Sequence, residues 1–381
     1  MAETGAVLVT SDEGTVQDIL PAAEAGGDVM TLKGILSPGF VNCHCHLELS
    51  HMKGVLPEGT GLVNFLLSVI RQRNTDQQSI IQQAIADAET AMLDNGIVAV
   101  GDICNTTDTV SQKSQGNLFY HNFIETMGFV EAAAPQRMAA SRDIFNGFAG
   151  VYSQPITANS LVPHAPYSVS SALFHLVANF PGNQLLTIHN QETDAENEFR
   201  RTGQGDLLRL YQAMGLDTSF FKGTGKRSLP SWLPSFYRNQ SIILVHNVAT
   251  TEEDLAWLEE NRGTIPDFSF CLCPNANLYI SRQLPDVELL IRSGSPLVVG
   301  TDSLASNHQL SILEELKTLQ QHLPFLSITT LLQWATLSGA KALQLDAVLG
   351  SFTPGKQPGV LVIEHVEGGK LMENSSVRRL L

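Results

Sequence analysis

The chain has 381 residues, of which 43% are hydrophobic and 16% are charged, enough to bury the core of one large domain with a small annex. Its net charge of -15 disfavours nucleic acid or an anionic membrane as a partner, because both bind basic surfaces. With no signal peptide, no apolar run near the ~20 residues that span a bilayer, and five cysteines in no disulfide or zinc pattern, we expect a cytoplasmic enzyme-sized protein.

The amino-terminal part of the chain is predicted to form a small sheet. Residues 1–34 contain two short strand-like pieces, Ala6 to Thr10 and Val29 to Leu32, separated by glycine and acidic residues. Further on, apolar residues at helical spacing predict helices over Gly61 to Arg73 and Gln77 to Asn95. The second helix is expected to stop at Asn95, since Gly96 follows it.

Strand-like apolar segments alternate with helical segments through most of the chain. Eight β/α units in roughly 250 to 300 residues predict a closed parallel barrel. A doubly wound open sheet is the alternative, but no glycine-rich dinucleotide turn is present. The predicted strands lie near Leu36, Ile97, Phe119, Ser160, Leu185, Ser241, Asp267 and Pro296.

The last helical stretch, Ile328 to Leu343, would close the barrel. Beyond it the chain becomes strand-like again, at Ser351 and Phe352 and over Val360 to Ile363. Because chain termini commonly meet at the surface, this segment is expected to pair with the amino-terminal pieces. We therefore predict a barrel over residues 35–343 and an annex built from 1–34 and 344–381.

Polar residues, many of them histidines, follow the predicted strands. His44 and His46 are two residues apart on a strand and should point to the same side, as a two-residue metal clamp does. Such a pair alone also occurs by chance on surface strands. Catalytic groups of a barrel gather at the carboxyl ends of its strands, where this chain also places Asp102, Glu125, His164, His189, His246, Pro274 to Asn277 and Asp302.

Four of these residues form a candidate metal site. His44, His46, His189 and Asp302 would supply three neutral nitrogens and one carboxylate and leave a position open for water. A metal there would lower the pKa of that water toward neutrality. Asp302 would also be placed to accept the proton of the attacking water.

Two further residues are candidates for proton transfer and charge stabilisation. Glu192 lies three residues after His189 and would share a helical face with it if the chain turns helical there, in reach of a leaving amine. A first-turn carboxylate that stabilises a helix dipole is the plainer interpretation of Glu192, and it is compatible with this role. His246, uncoordinated, would orient the hydroxide and stabilise developing negative charge.

Five separated motifs occur in the order that they have in the amidohydrolase superfamily. The chain resembles its branch of cytosine deaminase-like, chlorohydrolase-like and adenosylhomocysteine deaminase-like enzymes over about Leu36 to Ile363. The matching stretches are Pro38 to Asn42 with His44 and His46, His164 to Ser168, His189 to Thr193, Val245 to Asn247 and Gly300 to Ser303.

This resemblance implies a distorted (β/α)8 TIM barrel with a small β-sandwich annex formed by both termini. It implies the metal ligands already named, with Glu192 and His246 as the proton-transfer and polarising pair and His164 in contact with the substrate. Two-metal relatives carry a lysine at the end of strand four, and no lysine occurs from residue 114 to 221, so one metal is favoured. The family favours zinc over iron and a homodimer.

The chain departs from the family after strand seven. The usual Cys-Pro-x-Ser-Asn is Cys273-Pro274-Asn275-Ala276-Asn277 here, which keeps Asn277 as a candidate substrate contact but removes a hydroxyl. Only 43 residues precede His44, fewer than in relatives, so the annex is expected to be short of a strand.

Three more residues are candidate substrate contacts. Lys226 and Arg227 belong to a basic loop between strands five and six that would bind a substrate carboxylate, although a merely solvated loop is the alternative. The stretch His46-Leu47-Glu48-Leu49-Ser50 is similar to that of aminodeoxyfutalosine deaminases, whose substrate is an adenosine-like nucleoside with a carboxylated aromatic tail. Glu48 would then bind a purine or ribose group, unless it serves in the loop or as a helix cap.

The sequence thus predicts a metal-dependent hydrolase with a small heterocyclic substrate. The favoured reaction is deamination of a purine nucleoside or related heterocyclic amine by metal-bound hydroxide, with release of ammonia. The alternatives are hydrolysis of an amide C–N bond or a C–Cl bond and, from another class, a non-catalytic protein on this fold. The last is disfavoured because all six predicted residues of the catalytic centre are present.

Overall fold

The computed structural model describes residues 5–149 and 158–381. Eight parallel strands with helices between them form a barrel, and five further strands form two small antiparallel sheets. The strands are β1 (Ala6–Thr10), β2 (Val16–Pro21), β3 (Ile35–Pro38), β4 (Phe40–Cys45), β5 (Ile97–Cys104), β6 (Phe119–Thr126), β7 (Ala158–Pro163), β8 (Leu185–Asn190), β9 (Ser241–His246), β10 (Asp267–Leu272), β11 (Leu297–Val299), β12 (Val360–Glu367) and β13 (Lys370–Arg379).

The helices surround the barrel and include a π-helical turn, Trp334–Ser338, within the last helical stretch. Short 3₁₀ helices cover Ala22–Glu24, Leu47–Met52, Glu131–Ala133 and Leu233–Ser235. The α-helices are α1 (Leu62–Gln72), α2 (Gln78–Asp94), α3 (Val110–Lys113), α4 (Ala134–Ala149), α5 (Ser171–Ala178), α6 (Asp194–Thr202), α7 (Leu207–Ala213), α8 (Ser228–Trp232), α9 (Glu252–Asn261), α10 (Pro274–Ser281), α11 (Val287–Arg292), α12 (Ile312–His322), α13 (Ile328–Gln333) and α14 (Gly339–Ala342).

The barrel consists of two four-stranded parallel groups, β4-β5-β6-β7 and β8-β9-β10-β11. Backbone hydrogen bonds join the groups at both seams. His189 N–H donates to the His164 carbonyl at 3.0 Å, and Thr301 N–H donates to the His44 carbonyl at 3.0 Å. The eight strands therefore close, and the predicted TIM barrel is confirmed.

Burial explains why the barrel strands were readable from the sequence. Every residue of β4 and of β5 is buried, as expected where helices cover the outside of a parallel sheet and side chains fill its inside. Helices α1 and α2 lie within one residue of their predicted ends. Gly96, with a φ of 77°, takes the left-handed conformation that follows α2.

The annex differs from the prediction. Strand β3, which was assigned to the barrel as its first strand, pairs with β12 in the antiparallel sheet β13-β12-β3, so the annex extends to Pro38. The chain then passes Gly39, where a Cβ would lie 2.3 Å from Val98 Cγ1, and the barrel strand begins at Phe40. Gly39 therefore separates β3 from β4, which the sequence predicts as one strand.

Residues 344–381 and 1–34 meet as expected, but through loop hydrogen bonds and not as paired strands. The hairpin of β1 and β2 is a separate sheet, which reaches the carboxyl-terminal segment through hydrogen bonds of Val16 with Lys356 and Gly355, each 2.8 Å. No strand forms at Val29 to Leu32 or at Ser351 and Phe352, whereas β2 and β13 were not predicted.

All five cysteines are buried and free. Among the described residues, no helix combines the length and the apolar character that crossing a membrane requires.

Candidate active site

Three histidines converge at the carboxyl end of the barrel. His44 and His46 come from the end of β4 and His189 from β8, and their ligand atoms lie within 4.8 Å of one another. Nε2 of His46 and Nε2 of His189 are 3.2 Å apart. Such close nitrogens, with both rings buried, suit a shared cation.

Asp302, just beyond β11, completes the group. Its Oδ1 lies 3.7 Å from His44 Nε2 and 3.5 Å from His46 Nε2. Ser306 Oγ donates to Asp302 Oδ2 at 2.9 Å, which fixes the carboxylate. Burial alone would raise the pKa of Asp302, but the neighbouring His44 and His46 hold that pKa well below its ordinary value. The carboxylate is therefore ionised and faces the histidines.

His44 is the clearest indication that the site holds a metal. Its side chain is buried, yet neither ring nitrogen has a hydrogen-bond partner. An unpartnered buried imidazole is unfavourable unless a ligand satisfies it. Burial lowers the pKa of His44 and lowers that of His46 to about 3, so both rings are neutral and able to bind a metal.

The carboxylate of Glu125 and the backbone of His164 orient His189. Nδ1 of His189 lies 2.9 Å from the His164 carbonyl and 3.3 Å from Glu125 Oε1, so the ring hydrogen belongs on Nδ1 and Nε2 is left for a metal. Burial opposes protonation, but Glu125 raises the pKa of His189 to about 9. Metal binding would release that proton. Glu125, His164 and His189 form a second possible ligand group, but it depends on His189 and does not extend the site independently.

Glu192 and His246 lie beside this group. Glu192 Oε1 is 3.9 Å from His246 Nε2. Burial raises the pKa of Glu192 to about 8 and lowers that of His246 well below its ordinary value, so both are neutral near pH 7. The helical turn expected between His189 and Glu192 does not form: α6 begins at Asp194, and a φ of 47° at Gln191 turns the chain instead.

Asn277 contacts a catalytic candidate rather than the cavity. It is buried on α10, and its Nδ2 lies 3.1 Å from His246 Nδ1. This bond leaves the ring hydrogen of His246 on Nε2, which faces Glu192. The direct substrate contact predicted for Asn277 is therefore replaced by an indirect one through His246.

A cavity of about 390 Å³ leads from the solvent to these residues. Its inner end is lined by His46, His164, His189, Glu192, His246 and Asp302. Apolar side chains line much of the rest, among them Leu62, Phe65, Val69, Phe129 and Met214. Such a cavity, apolar with a few convergent polar groups, suits a flat organic ligand. His164, which the sequence predicts as a substrate contact, is one of the residues that line this cavity.

The other predicted substrate contacts lie elsewhere. Lys226 is exposed outside the cavity, and Arg227 pairs with Asp254 at 2.8 Å and donates to the Ala249 carbonyl. The basic loop is therefore held against α9 and does not cover the cavity. Glu48 is buried and is not among the residues that line this cavity.

Arg73, which sequence reasoning missed, lies between Glu48 and the cavity. It lines the cavity, and its Nη2 donates to Glu48 Oε1 at 2.7 Å. The other Glu48 oxygen accepts from the backbone of Asn105 and Thr106, each at 2.9 Å. No local signal in the sequence joins Glu48 to Arg73, 25 residues away. Glu125 was also missed as a partner of His189, although its strand-end position was a signal.

Curated relatives share most of the chain. It is 28% identical over 317 residues to an adenosine deaminase of Helicobacter pylori, and this alignment covers 82% of this chain and 75% of that protein. It is 25% identical over 340 residues to an aminodeoxyfutalosine deaminase of Nitratiruptor, with 88% and 80% covered.

Solved structures show the same fold. The aminofutalosine deaminase of Helicobacter pylori in complex with methylthio-coformycin matches with a TM-score of 0.79 at 24% identity, covering 94% of this chain and 87% of that one. The atrazine chlorohydrolase of Arthrobacter aurescens complexed with zinc matches with a TM-score of 0.70 at 14% identity, covering 94% and 86%. The model of the amidohydrolase family matches residues 35–375. The barrel, the histidines at the ends of its strands and the match to the family model agree, so the chain belongs to the amidohydrolase family.

Proposed function

We propose that this protein is a zinc-dependent aminohydrolase that deaminates an adenosine-like purine nucleoside. The observation that carries the proposal is the shared inner end of one cavity, where Glu192, His246 and Asp302 meet the histidine group. The names of the curated relatives support an adenosine-like substrate. His44, His46, His189 and Asp302 would hold the metal, whose contribution when bound would be to lower the pKa of water.

The side chains divide the proton transfers between them. Asp302 is ionised and takes the proton of the attacking water as the new C–O bond forms. Glu192 enters neutral and donates its proton to the ring nitrogen beside the attacked carbon. His246 donates a hydrogen bond from Nε2 to the oxygen where negative charge develops. Asp302 then passes the proton it took from water to the amine, the C–N bond breaks and ammonia leaves, and the remaining hydroxyl proton returns to Glu192 as the product carbonyl forms.

The cavity wall narrows the class of substrate. Arg73 and Arg137 line the cavity, whereas the loop residues Lys226 and Arg227 do not. Together with these arginines, the apolar side chains that line the same cavity suit a nucleoside whose substituent beyond the ribose is apolar and carries an anion. Arg73, held by Glu48, takes over the role of carboxylate contact that the sequence assigned to the basic loop.

Two further expectations remain part of this proposal. Free buried thiols suit the reducing cytoplasm. The homodimer rests on the family resemblance alone, and sedimentation of the purified protein would test it.

Ammonia release and metal content from one preparation test the proposal. Adenosine, 5-methylthioadenosine, S-adenosylhomocysteine and aminodeoxyfutalosine would be compared for the wild type and Glu192→Gln. We expect near one zinc per chain in both, with a kcat lower by about 10² to 10⁴ in the variant. If the protein binds zinc but releases no ammonia from any nucleoside, the deaminase proposal is refuted and hydrolysis of an amide C–N bond or a C–Cl bond is favoured. Absence of both zinc and turnover would favour a non-catalytic protein.

A further inference from the structure

The strand that carries two of the candidate ligands is irregular where it carries them. In the pairing of β4 with β5, Asn42 lies opposite Val100 but Cys45 lies opposite Asp102, so β4 contains one residue more than β5 over this interval. Such a bulge re-aims side chains and interrupts the ladder of backbone hydrogen bonds. The direction of His44 and His46 therefore depends on whatever holds the bulged chain.

A side chain of β5 replaces the missing backbone bond. Asp102 is completely buried, and its Oδ1 accepts from the backbone N–H of Leu47 at 2.8 Å. Leu47 directly follows His46 and begins the 3₁₀ helix over Leu47–Met52. A carboxylate at this point satisfies a free N–H and matches the positive end of the helix. Asp102 thus fixes the chain one residue beyond a candidate ligand.

A buried lysine balances this carboxylate. Nζ of Lys113 donates to Asp102 Oδ2 at 2.5 Å and to Asn122 Oδ1 at 2.7 Å. The side chain of Lys113 is 0% exposed and lies beside the rings of Tyr120 and Phe148. An isolated charge here would be strongly unfavourable, so each member of the pair requires the other. Neither lines the cavity, so neither touches the substrate.

We propose that Asp102 and Lys113 are positioning residues for the metal site: the pair holds the bulged end of β4 so that His46 faces His189 and Asp302. The inference rests on the proposed metal site and adds to it two residues outside the cavity. Partners of this kind, one step behind the ligands, commonly change metal affinity 10- to 100-fold.

Zinc affinity separates positioning from simple stability. Asp102→Asn keeps an acceptor for Leu47 but turns an amide N–H toward Lys113, and Lys113→Met leaves the carboxylate unpaired. We expect each to weaken zinc binding at least tenfold, measured by chelator competition. The double variant restores charge balance and keeps an acceptor for Leu47, so it should bind zinc more tightly than either single variant.

Glu89→Gln is the matched control. Glu89 is also completely buried and accepts hydrogen bonds from Tyr120 Oη at 2.8 Å and Asn117 at 2.9 Å, but it is bonded to no residue of β4. The Glu89→Gln substitution should lower the melting temperature of the metal-free protein while leaving zinc affinity within twofold of the wild type. The melting temperatures of all variants would be measured without metal.

Zinc affinity unchanged in both single variants, or lowered no more than in Glu89→Gln at equal loss of stability, would overturn the proposal. If the single variants do not fold, Asn122→Ala removes one partner of Lys113, and wild-type zinc affinity in that variant would overturn it as well. A wild type that binds zinc but releases no ammonia would refute the proposed reaction, and the affinity comparison would still decide the role of the pair.

Discussion

Gly300, at the seam where the barrel closes, gives the sharpest test of the site geometry. It lies between β11 and Asp302, and a Cβ there would come within 2.7 Å of His44 Cβ and 2.9 Å of the His44 backbone N and O. Ordinary contacts begin near 3.4 Å, so Gly300→Ala would push the two strands apart by about 0.7 Å. Metal–ligand distances tolerate only about 0.2 Å.

We therefore expect Gly300→Ala to lose about 1 to 3 kcal/mol of unfolding free energy and at least tenfold in zinc affinity. Urea titration of the metal-free protein and chelator competition measure the two. Gly263→Ala is the control, because a Cβ at Gly263 meets nothing within 4 Å. A Gly300→Ala protein as stable and as tightly zinc-bound as this control would refute the closed geometry of the site.

Three further outcomes are expected from single substitutions. In ammonia assays, Arg73→Met should raise KM at least tenfold for a carboxylated nucleoside but much less for adenosine. Lys226→Ala should change neither KM by more than twofold. The reverse pattern would show that the basic loop, and not Arg73, binds the substrate carboxylate. Asn277→Ala should lower kcat about tenfold with little change in KM, because His246 loses its orienting bond; an unchanged kcat would contradict this. Burial raises the pKa of Glu196 to about 7, so the folded protein keeps a proton that the unfolded chain releases above about pH 4.5. Glu196 alone should contribute a fall in stability of up to about 1.4 kcal/mol per pH unit as pH rises from ~4.5 to 7, and urea titrations of Glu196→Gln should show a slope smaller by that amount.

The barrel and the ligand positions could be predicted because each depends on local pattern. Strands buried on both sides appear as continuous apolar runs, and the residue after each run falls at the carboxyl end of the barrel. The annex lacks this signal. In β13 a single residue, Ser375, is fully buried, and β2 buries only Val16, so neither strand shows a periodic apolar face.

The cavity wall was mispredicted for a different reason. A charged side chain shows its type in the sequence but not its partner. Arg227 forms an ion pair with Asp254, 27 residues later, which holds Arg227 against α9. Glu48 forms an ion pair with Arg73, and Glu48 is buried beneath it. Only the folded chain decides which charge faces the cavity, because these pairs are made between separate elements.

The orientation of the catalytic side chains depends on backbone that alternation along a strand does not predict. Gln191, His246, Asn247 and Asp302 have φ values of 47°, 74°, 60° and 57°, where non-glycine residues are disfavoured by about 1 to 3 kcal/mol each. Buried hydrogen bonds hold these turns: Asn190 Nδ2 donates to Asn247 Oδ1 at 3.1 Å, and Ser303 N–H donates to Asp302 Oδ1 at 2.8 Å. Four of the seven non-glycine residues with positive φ among the described residues thus lie at or just beyond the ends of β8, β9 and β11, where they turn candidate ligands and proton-carrying groups inward. Asn190, Gln191 and Asn247, which follow His189 and His246 in the motifs, therefore serve to hold the turns, whereas Glu192 reaches the cavity.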